Sequence, residues 1–314
     1  MSIRLGIDLG GSKIEGIAID AHGAELVRRR AATPGGDYTA TLQAIRQLVE
    51  QISTEVGCPT GTPVGIGIPG AISRRTGLVK NANSTCLIGH PLDRDLAALL
   101  QRPVRLANDA DCFTKSEAVD GAEAGCHSVF GVILGTGVGG GIVIDGRLLQ
   151  GRNSIAGEWG HNPLPWTPRL SDGMDERPGP PCYCGKSGCI ETFLSGPGLC
   201  NDHYRHHSVQ SSAREIADLA HAGDARSCDT LRRYQNRLAR ALASVINLID
   251  PDVIVVGGGL SNLEQIYTRV PDIWQEWVFS DIVETRLLKN LHGDSSGVRG
   301  AAWLWQNSSE ASPD

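Results

Sequence analysis

Two stretches of this chain repeat one plan, and a repeated plan narrows the fold more than any single motif does. LGIDLGGSKIEGIAID at 5–20 and FGVILGTGVGGGIVID at 130–145 each run apolar, turn through glycine and run apolar again. Gly6, Gly10 and Asp20 recur as Gly131, Gly135 and Asp145, each 125 positions later. Each stretch predicts two β-strands joined by a glycine loop, and 314 residues are enough for two domains that start this way. Such a pair would bring both glycine loops to one ligand in a cleft. Glycine hairpins share this composition anyway, so a chance likeness of two unrelated hairpins stays open.

The remaining periodicity alternates helix and strand. Strands are expected at 25–30, 64–68 and 104–107, and helices at 38–56, 92–100 and 110–124, the last entered through Asn108-Asp109. Beyond the second hairpin, helices are expected at 213–221 and 230–249. A strand at 252–256 then runs into Gly257-Gly258-Gly259, followed by a helix at 262–279, a strand at 282–287 and a final helix at 300–302. The tail from Asn307 reads as disordered.

One interval, 156–195, carries a metal-ligand pattern. Cys182, Cys184 and Cys189 form C-x-C-x4-C with His161 upstream, a ligand set suited to one tetrahedral zinc. Gly185 and Gly188 supply the turns a chelating loop needs. Four protein ligands leave no open position, so the zinc is expected to be structural and the chemistry to lie elsewhere. A chance cluster of cysteines is the plainer alternative. The polar stretch 167–181 reads as a loop insertion without a role.

Composition excludes several classes. Asp and Glu outnumber Lys and Arg, 35 to 29, giving a net charge of −6 that argues against a nucleic-acid partner. Asp8 interrupts the first apolar run, so the N-terminus does not read as a signal peptide. The longest nearly apolar run, 129–144, is short and glycine-rich, and no membrane partner is expected. Nine cysteines without a secretion signal suggest a reduced, cytoplasmic protein, with the six outside the zinc pattern as ordinary thiols.

Glycine loops follow strands three times, at Gly10-Gly11-Ser12-Lys13, at Gly135 to Gly139 with Thr136 and Gly137 inside, and at Gly257-Gly258-Gly259. Glycine lets backbone amides approach phosphate oxygens, and Ser12 and Thr136 add hydroxyls. None fits the P-loop, and a Rossmann loop should open a helix rather than a second strand. Asp8, at the end of the first strand, suits Mg²⁺ held through water. Asp109, after a strand and at the mouth of a helix, is placed either for general-base work or for helix capping.

In this order DLGGSK, GIGIPG, LANDA, ILGTGVGGG, GEWGH, C-x-C-x4-C-I-E and VIVVGGG resemble the ROK family of sugar kinases, within the actin-like ATPase superfamily. The motifs reach from Asp8 to the GVRGAA segment. VKNANS and GEWGHNPLPW most resemble the bacterial fructokinase and mannokinase branch. The resemblance implies a two-lobed α/β actin-like ATPase fold, duplicated and ribonuclease-H-like. A small lobe at 1–118 would be completed by a helix near 298–306, and a large lobe at 119–297 would carry the zinc loop, with 307–314 as tail. The implied reaction is ATP:hexose 6-phosphotransfer with Mg²⁺, on D-fructose first and on mannose or glucose besides, in a homodimer.

The family's catalytic Asp matches Asp109, with Asn108 beside it as a sugar ligand. Glu158, His161 and Glu191 are implied to touch sugar hydroxyls, His161 through the ring nitrogen that zinc leaves over. Gly70, Ala71 and Asn83 match further sugar contacts, and Gly258 and Gly259 match the loop near adenine and ribose. Ser12 stands where Thr is more usual and keeps the hydroxyl. The alternatives are an N-acetylglucosamine or N-acetylmannosamine kinase of the same family, a sugar-sensing ROK regulator and a noncatalytic actin-like protein. A regulator needs a winged-helix segment ahead of the strand that here begins at Ile3, and a noncatalytic protein would lack Asp109 together with the zinc loop.

Overall fold

The computed structural model describes residues 3–82, 84–167 and 176–305. In chain order it contains β1 (Arg4–Leu9), β2 (Lys13–Ile19), β3 (Glu25–Ala32), α1 (Tyr38–Glu55), β4 (Val64–Ile68), β5 (Ala71–Ile72), β6 (Val79–Lys80), α2 (Leu92–Leu100), β7 (Val104–Asn108) and α3 (Asp109–Val119). There follow β8 (Ser128–Leu134), β9 (Val138–Ile144), β10 (Arg147–Leu148), α4 (Glu191–Leu194), α5 (Gly196–His207), α6 (Ala213–His221), α7 (Ala225–Ile249), β11 (Val253–Gly257), α8 (Ile266–Trp274), β12 (Arg286–Lys289) and α9 (Ser296–Ala302).

The repeat seen in sequence is a repeat of topology. One five-stranded sheet has the order β3-β2-β1-β4-β7 and the other β10-β9-β8-β11-β12, so each glycine hairpin feeds the same arrangement. β4 lies parallel between β1 and β7, and β11 lies parallel between β8 and β12. The chain forms two compact units, Met1–Gly125 with Gly141–Ala156 and Leu291–Asp314, and Cys126–Gly140 with Gly157–Asn290.

In the first unit one sheet face packs on α1 and α2, through Ile7, Ile14, Ile66, Ile45, Leu48, Ile52, Leu92 and Leu96. The other face takes α9. Gly6 and Gly65 are register partners on β1 and β4, and a Cβ on either would lie 2.3 Å from Val298 O or 1.8 Å from Ala301 O. Backbone therefore rests on backbone, which no larger residue permits. The returning segment is also tied down by Glu117, fully buried in α3, whose carboxylate accepts from Leu291 N at 3.0 Å and Ser296 Oγ at 2.7 Å. The same carboxylate accepts from Ala122 N at 2.9 Å, which stops α3 short of the expected residue 124.

The second unit departs further from expectation. α5 was not expected from sequence, because its polar residues hide the buried Leu199, Asp202 and His203; Ser195 caps it, accepting from Gly198 N at 3.1 Å. α7 starts at Ala225 rather than 230, since Asp224 caps it through Ser227 N at 2.8 Å. The last strand is β12, not 282–287: Leu287 is buried opposite Ile254, while Ile282 is 63% exposed. α8 occupies only part of 262–279, the approach being a 3-10 turn over Gly259–Asn262.

The 167–181 insertion is not merely a solvated loop. Residues 168–175 lie outside the described residues, but Glu176 is 6% exposed and paired with Arg237 at 2.7 Å and Arg240 at 2.8 Å, both buried on α7. Arg237 reaches Asp202 of α5 at 2.6 Å, and Arg233 joins that carboxylate at 2.8 Å. Arg240 also donates to Pro165 O at 2.7 Å and Trp166 O at 3.1 Å. A buried charge has to be paired and hydrogen-bonded, and here every member is.

Candidate functional site

In the first unit the β1–β2 loop is braced rather than free. Gly10 N donates to Lys13 O at 3.0 Å, and Thr33 meets the loop twice, donating from Oγ1 to Gly10 O at 2.8 Å and from N to Ser12 O at 3.1 Å. Gly11 and Ser12 stay exposed. Lys13, expected at phosphate, has its ammonium 3.4 Å from Glu15 Oε2. Glu15 is 1% exposed and also pairs with Arg30 at 2.9 Å and Arg28 at 3.4 Å.

Asp8 stands at the end of β1, where burial, then Asp109 and Glu15, push its carboxyl up to about 6 against the opposing pull of Lys13. A carboxylate held beside another in this way fits a hydrated divalent cation, which would relieve the repulsion. Asp109 is exposed at the first residue of α3, and its Oδ1 accepts from Ala110 N at 2.8 Å. The capping residue is Asn108, whose Oδ1 accepts from Ala110 N at 2.9 Å while Nδ2 donates to Gly70 O at 3.0 Å. Asn108 thus fastens β7 to the turn before β5. Gly70 has φ +108°, and a Cβ there would lie 2.6 Å from Lys80 O; Ala71 opens β5. Asn83 lies outside the described residues.

In the second unit the other two glycine loops lie side by side. Gly258 has φ +82° and sits so close to β8 that a Cβ would fall 2.5 Å from Leu134 O; Gly259 follows it into the 3-10 turn. Gly135 N donates to Gly137 O at 3.0 Å, and Gly196 N, at the start of α5, donates to Gly135 O at 2.8 Å. Thr136 is exposed at the tip. Glu191 Oε2 accepts from Val138 N at 3.0 Å, fixing that carboxylate to the loop. The GEWGH segment is locked to the same strand: Trp159 Nε1 donates to Gly139 O at 3.0 Å, and a Cβ on Gly160 would lie 2.3 Å from Val138 O.

The four expected metal ligands do converge. The donor atoms of His161, Cys182, Cys184 and Cys189 all lie within 4.8 Å of one another, with Cys182 Sγ 3.6 Å from His161 Nδ1 and Cys184 Sγ 3.6 Å from Cys189 Sγ. Thiolates about 2.3 Å from one tetrahedral zinc are about 3.8 Å apart, so the set fits that ion. The knuckle closes through Cys182 N to Lys186 O at 2.8 Å and Gly188 N to Pro180 O at 2.9 Å. Burial and the neighbouring thiols push Cys189 up to about 12, so that sulfur holds its proton until a cation displaces it, whereas a backbone hydrogen bond from Lys186 lowers Cys184.

Tyr183, between the first two cysteines, was not singled out from sequence. Its hydroxyl lies 3.0 Å from His161 Nε2, where a sugar hydroxyl was expected, and a sugar must compete for that nitrogen. Burial, then Glu191, Cys182, Glu158 and Cys184 push its phenol up to about 12, which puts the exposed Glu158 and the anchored Glu191 in its electrostatic neighbourhood. The only sequence sign was an aromatic inside C-x-C. Among the described residues no helix is long and apolar enough to cross a membrane.

Known proteins share this layout along nearly the whole chain. N-acetyl-D-glucosamine kinase of Yersinia pseudotuberculosis serotype O:1b (strain IP 31758) is 40% identical over 305 residues, 95% of this chain and 97% of that protein. N-acetyl-D-glucosamine kinase of Escherichia coli O139:H28 (strain E24377A / ETEC) is 40% identical over 301 residues, 95% and 98%. Among solved structures, a ROK hexokinase from Thermus thermophilus matches with TM-score 0.82 at 29% identity, covering 96% of both chains. A ROK family glucokinase from Streptomyces griseus, in complex with glucose and AMPPNP, matches with TM-score 0.76 at 28% identity, covering 96% and 98%. The model of the ROK family matches residues 4–308, and with these relatives it shows that the chain belongs to the ROK family of sugar kinases.

Proposed function

We propose that this chain is an ATP-dependent N-acetyl-D-glucosamine kinase that passes the γ-phosphoryl group to the sugar 6-hydroxyl. The observation that carries the substrate is the 40% identity, across 95% of the chain, to proteins of that name. D-Fructose, first by motif resemblance, finds no support among these relatives and is given up as the leading substrate.

In this reading Asp109 takes the hydroxyl proton while the oxygen attacks phosphorus in line. Asn108 is the cap, and the Asp109 carboxylate is exposed at the first residue of the helix with its Oδ1 accepting from Ala110 N. Gly10–Lys13 and Gly135–Gly137 offer amides and hydroxyls to the phosphates, and Gly258-Gly259 serve the nucleoside end. Mg²⁺, held through water by Asp8, would neutralise phosphate charge. Asn108, Glu158, His161 and Glu191 hold sugar hydroxyls, with Gly70, Ala71 and Asn83 alongside, and zinc on His161, Cys182, Cys184 and Cys189 keeps the wall in shape. The functional lobes are 1–118 with 298–306 and 119–297, and the working form is a homodimer.

Coupled assays with N-acetylglucosamine, N-acetylmannosamine, glucose, mannose and fructose test the substrate. N-Acetylglucosamine is expected to give the highest kcat/KM, and a lead for fructose overturns the reading. Asp109→Asn is expected to fold and bind sugar while kcat falls by about two to four orders of magnitude; a rate near wild type removes Asp109 from the mechanism.

A further inference from the structure

The knuckle has a feature that a purely structural zinc site does not need. Of its three cysteines, Cys182 and Cys189 are 8% and 1% exposed, while Cys184 lies open at the surface. Cys184 Sγ is 3.6 Å from Cys189 Sγ. A disulfide is about 2.05 Å long, so about 1.5 Å of closure separates this pair from a bond. The loop between them is already turned: Gly185 and Gly188 have φ +85° and +73°, and Cys182 N donates to Lys186 O at 2.8 Å. The buried partner is also tied to the proposed sugar wall. Thr192 donates to Cys189 O twice, from N at 2.9 Å and from Oγ1 at 2.7 Å, which fixes Cys189 to the start of α4 and so to Glu191.

We infer that Cys184 is a modification site for a hydroperoxide, with Cys189 as its resolving thiol, and that the bond between them dismantles the knuckle and loosens the sugar wall. A sulfur that binds zinc does so as thiolate, and oxidation takes the exposed one first. The Cys184 sulfur attacks one peroxide oxygen: an S–O bond forms, the O–O bond breaks, and hydroxide leaves, giving a sulfenic acid. The Cys189 thiolate then attacks the Cys184 sulfur: the S–S bond forms, the S–O bond breaks, and a second hydroxide leaves. The two sulfurs lose two electrons, the peroxide gains them, and both hydroxides take protons from solvent. Only His161 and Cys182 are then left as ligands, half of what a closed tetrahedral site uses. A resolving thiol this near intercepts the sulfenic acid before it reaches the irreversible acids, and thiol exchange reverses the bond. The inference rests on the zinc reading of the knuckle.

Zinc content of the untreated protein tests that reading by itself, and peptide mapping tests the disulfide whatever the zinc content. Hydrogen peroxide is titrated into the whole protein, with zinc followed by a chromogenic chelator and disulfides by mass spectrometry of peptides. The expected result is zinc release in step with one new bond, Cys184 to Cys189, and a sugar KM raised about ten- to hundredfold, all reversed by dithiothreitol and added zinc. Dimedone present during oxidation should label Cys184 and not Cys189. In Cys184→Ser no bond should form, and peroxide should leave that variant's sugar KM where it was; if the variant does not fold, dimedone labelling of the wild type decides. Absence of the Cys184–Cys189 bond, a bond to Cys182 in its place, or dimedone on Cys189 instead of Cys184 overturns the assignment. Zinc kept by protein that carries the bond, or a sugar KM that the bond does not move, overturns its effect on the knuckle.

Discussion

The interval 156–195 feeds two clusters of polar side chains that obey different rules. The knuckle brings His161, Cys182, Cys184 and Cys189 within 4.8 Å of one another, three of them from eight consecutive positions. The arginine knot joins Glu176 to Arg237, 61 positions away, and to Arg240, Asp202 and Arg233. Chelation is local, so its ligands must be spaced for the ion. The knot exists only once α5, α7 and the insertion are in place together, and its charges are tolerable only because all of them are paired. One cluster should fail locally and the other globally.

The largest effect is expected from the knuckle. Zinc contributes about 10–16 kcal/mol in small zinc-dependent peptides, so chelation or Cys189→Ser should open the loop and expose 180–190 to limited proteolysis. Because the knuckle carries His161 and precedes Glu191, the sugar KM is expected to rise about ten- to hundredfold. An unchanged KM in metal-free protein would detach the knuckle from the sugar wall. Next comes Glu176→Ala, which leaves buried arginines short of a partner and should cost about 3–5 kcal/mol in urea unfolding, with one equivalent of zinc retained. Loss of zinc in that variant would show that the two clusters are one structure.

The knot also sets an acid limit on stability. Burial alone would raise the Asp202 carboxyl, but Arg237 and Arg233 outweigh it and hold it below the usual range. A folded value below the unfolded one, about 3.9, means that this contribution is complete above that pH and is lost as pH falls through the folded value. The urea-midpoint gap between wild type and Asp202→Asn should therefore be constant from about pH 7 to 5 and close below about 4. A gap that persists at low pH removes Asp202's ionisation from the account.

What could be read from the sequence follows the same division. The glycine hairpins, α1, α2, β4 and the convergence of His161 with Cys182, Cys184 and Cys189 were legible, because each is specified by nearby residues of one chemical kind. Glu176 was not, since a lone Glu in a polar loop reads as solvated charge and its partners are on a helix far along the chain. α5 was hidden by its own Asn, Asp and His residues. Of the two roles open to Asp109, the cap is held by its neighbour Asn108, although Asp109 Oδ1 also accepts from Ala110 N at 2.8 Å. The interlocking of Gly6 and Gly65 with α9 needed the fold, because no local pattern says which strand glycine will meet a helix backbone.

The smallest predicted effect lies where the legible cluster contains an illegible contact. Tyr183 Oη occupies His161 Nε2 at 3.0 Å, yet the residue is 79% exposed, so the hydrogen bond is one a bound sugar can replace at little cost. A hydrogen bond of this kind is worth about 0.5–1.5 kcal/mol. Tyr183→Phe removes the competitor and keeps the ring packed edge-on to His161. The sugar KM is then expected to fall between about twofold and about tenfold, with kcat and zinc content unchanged. A rise in KM would instead mean that the phenol itself holds the sugar, and the knuckle would supply a substrate contact from between its ligands as well as from His161.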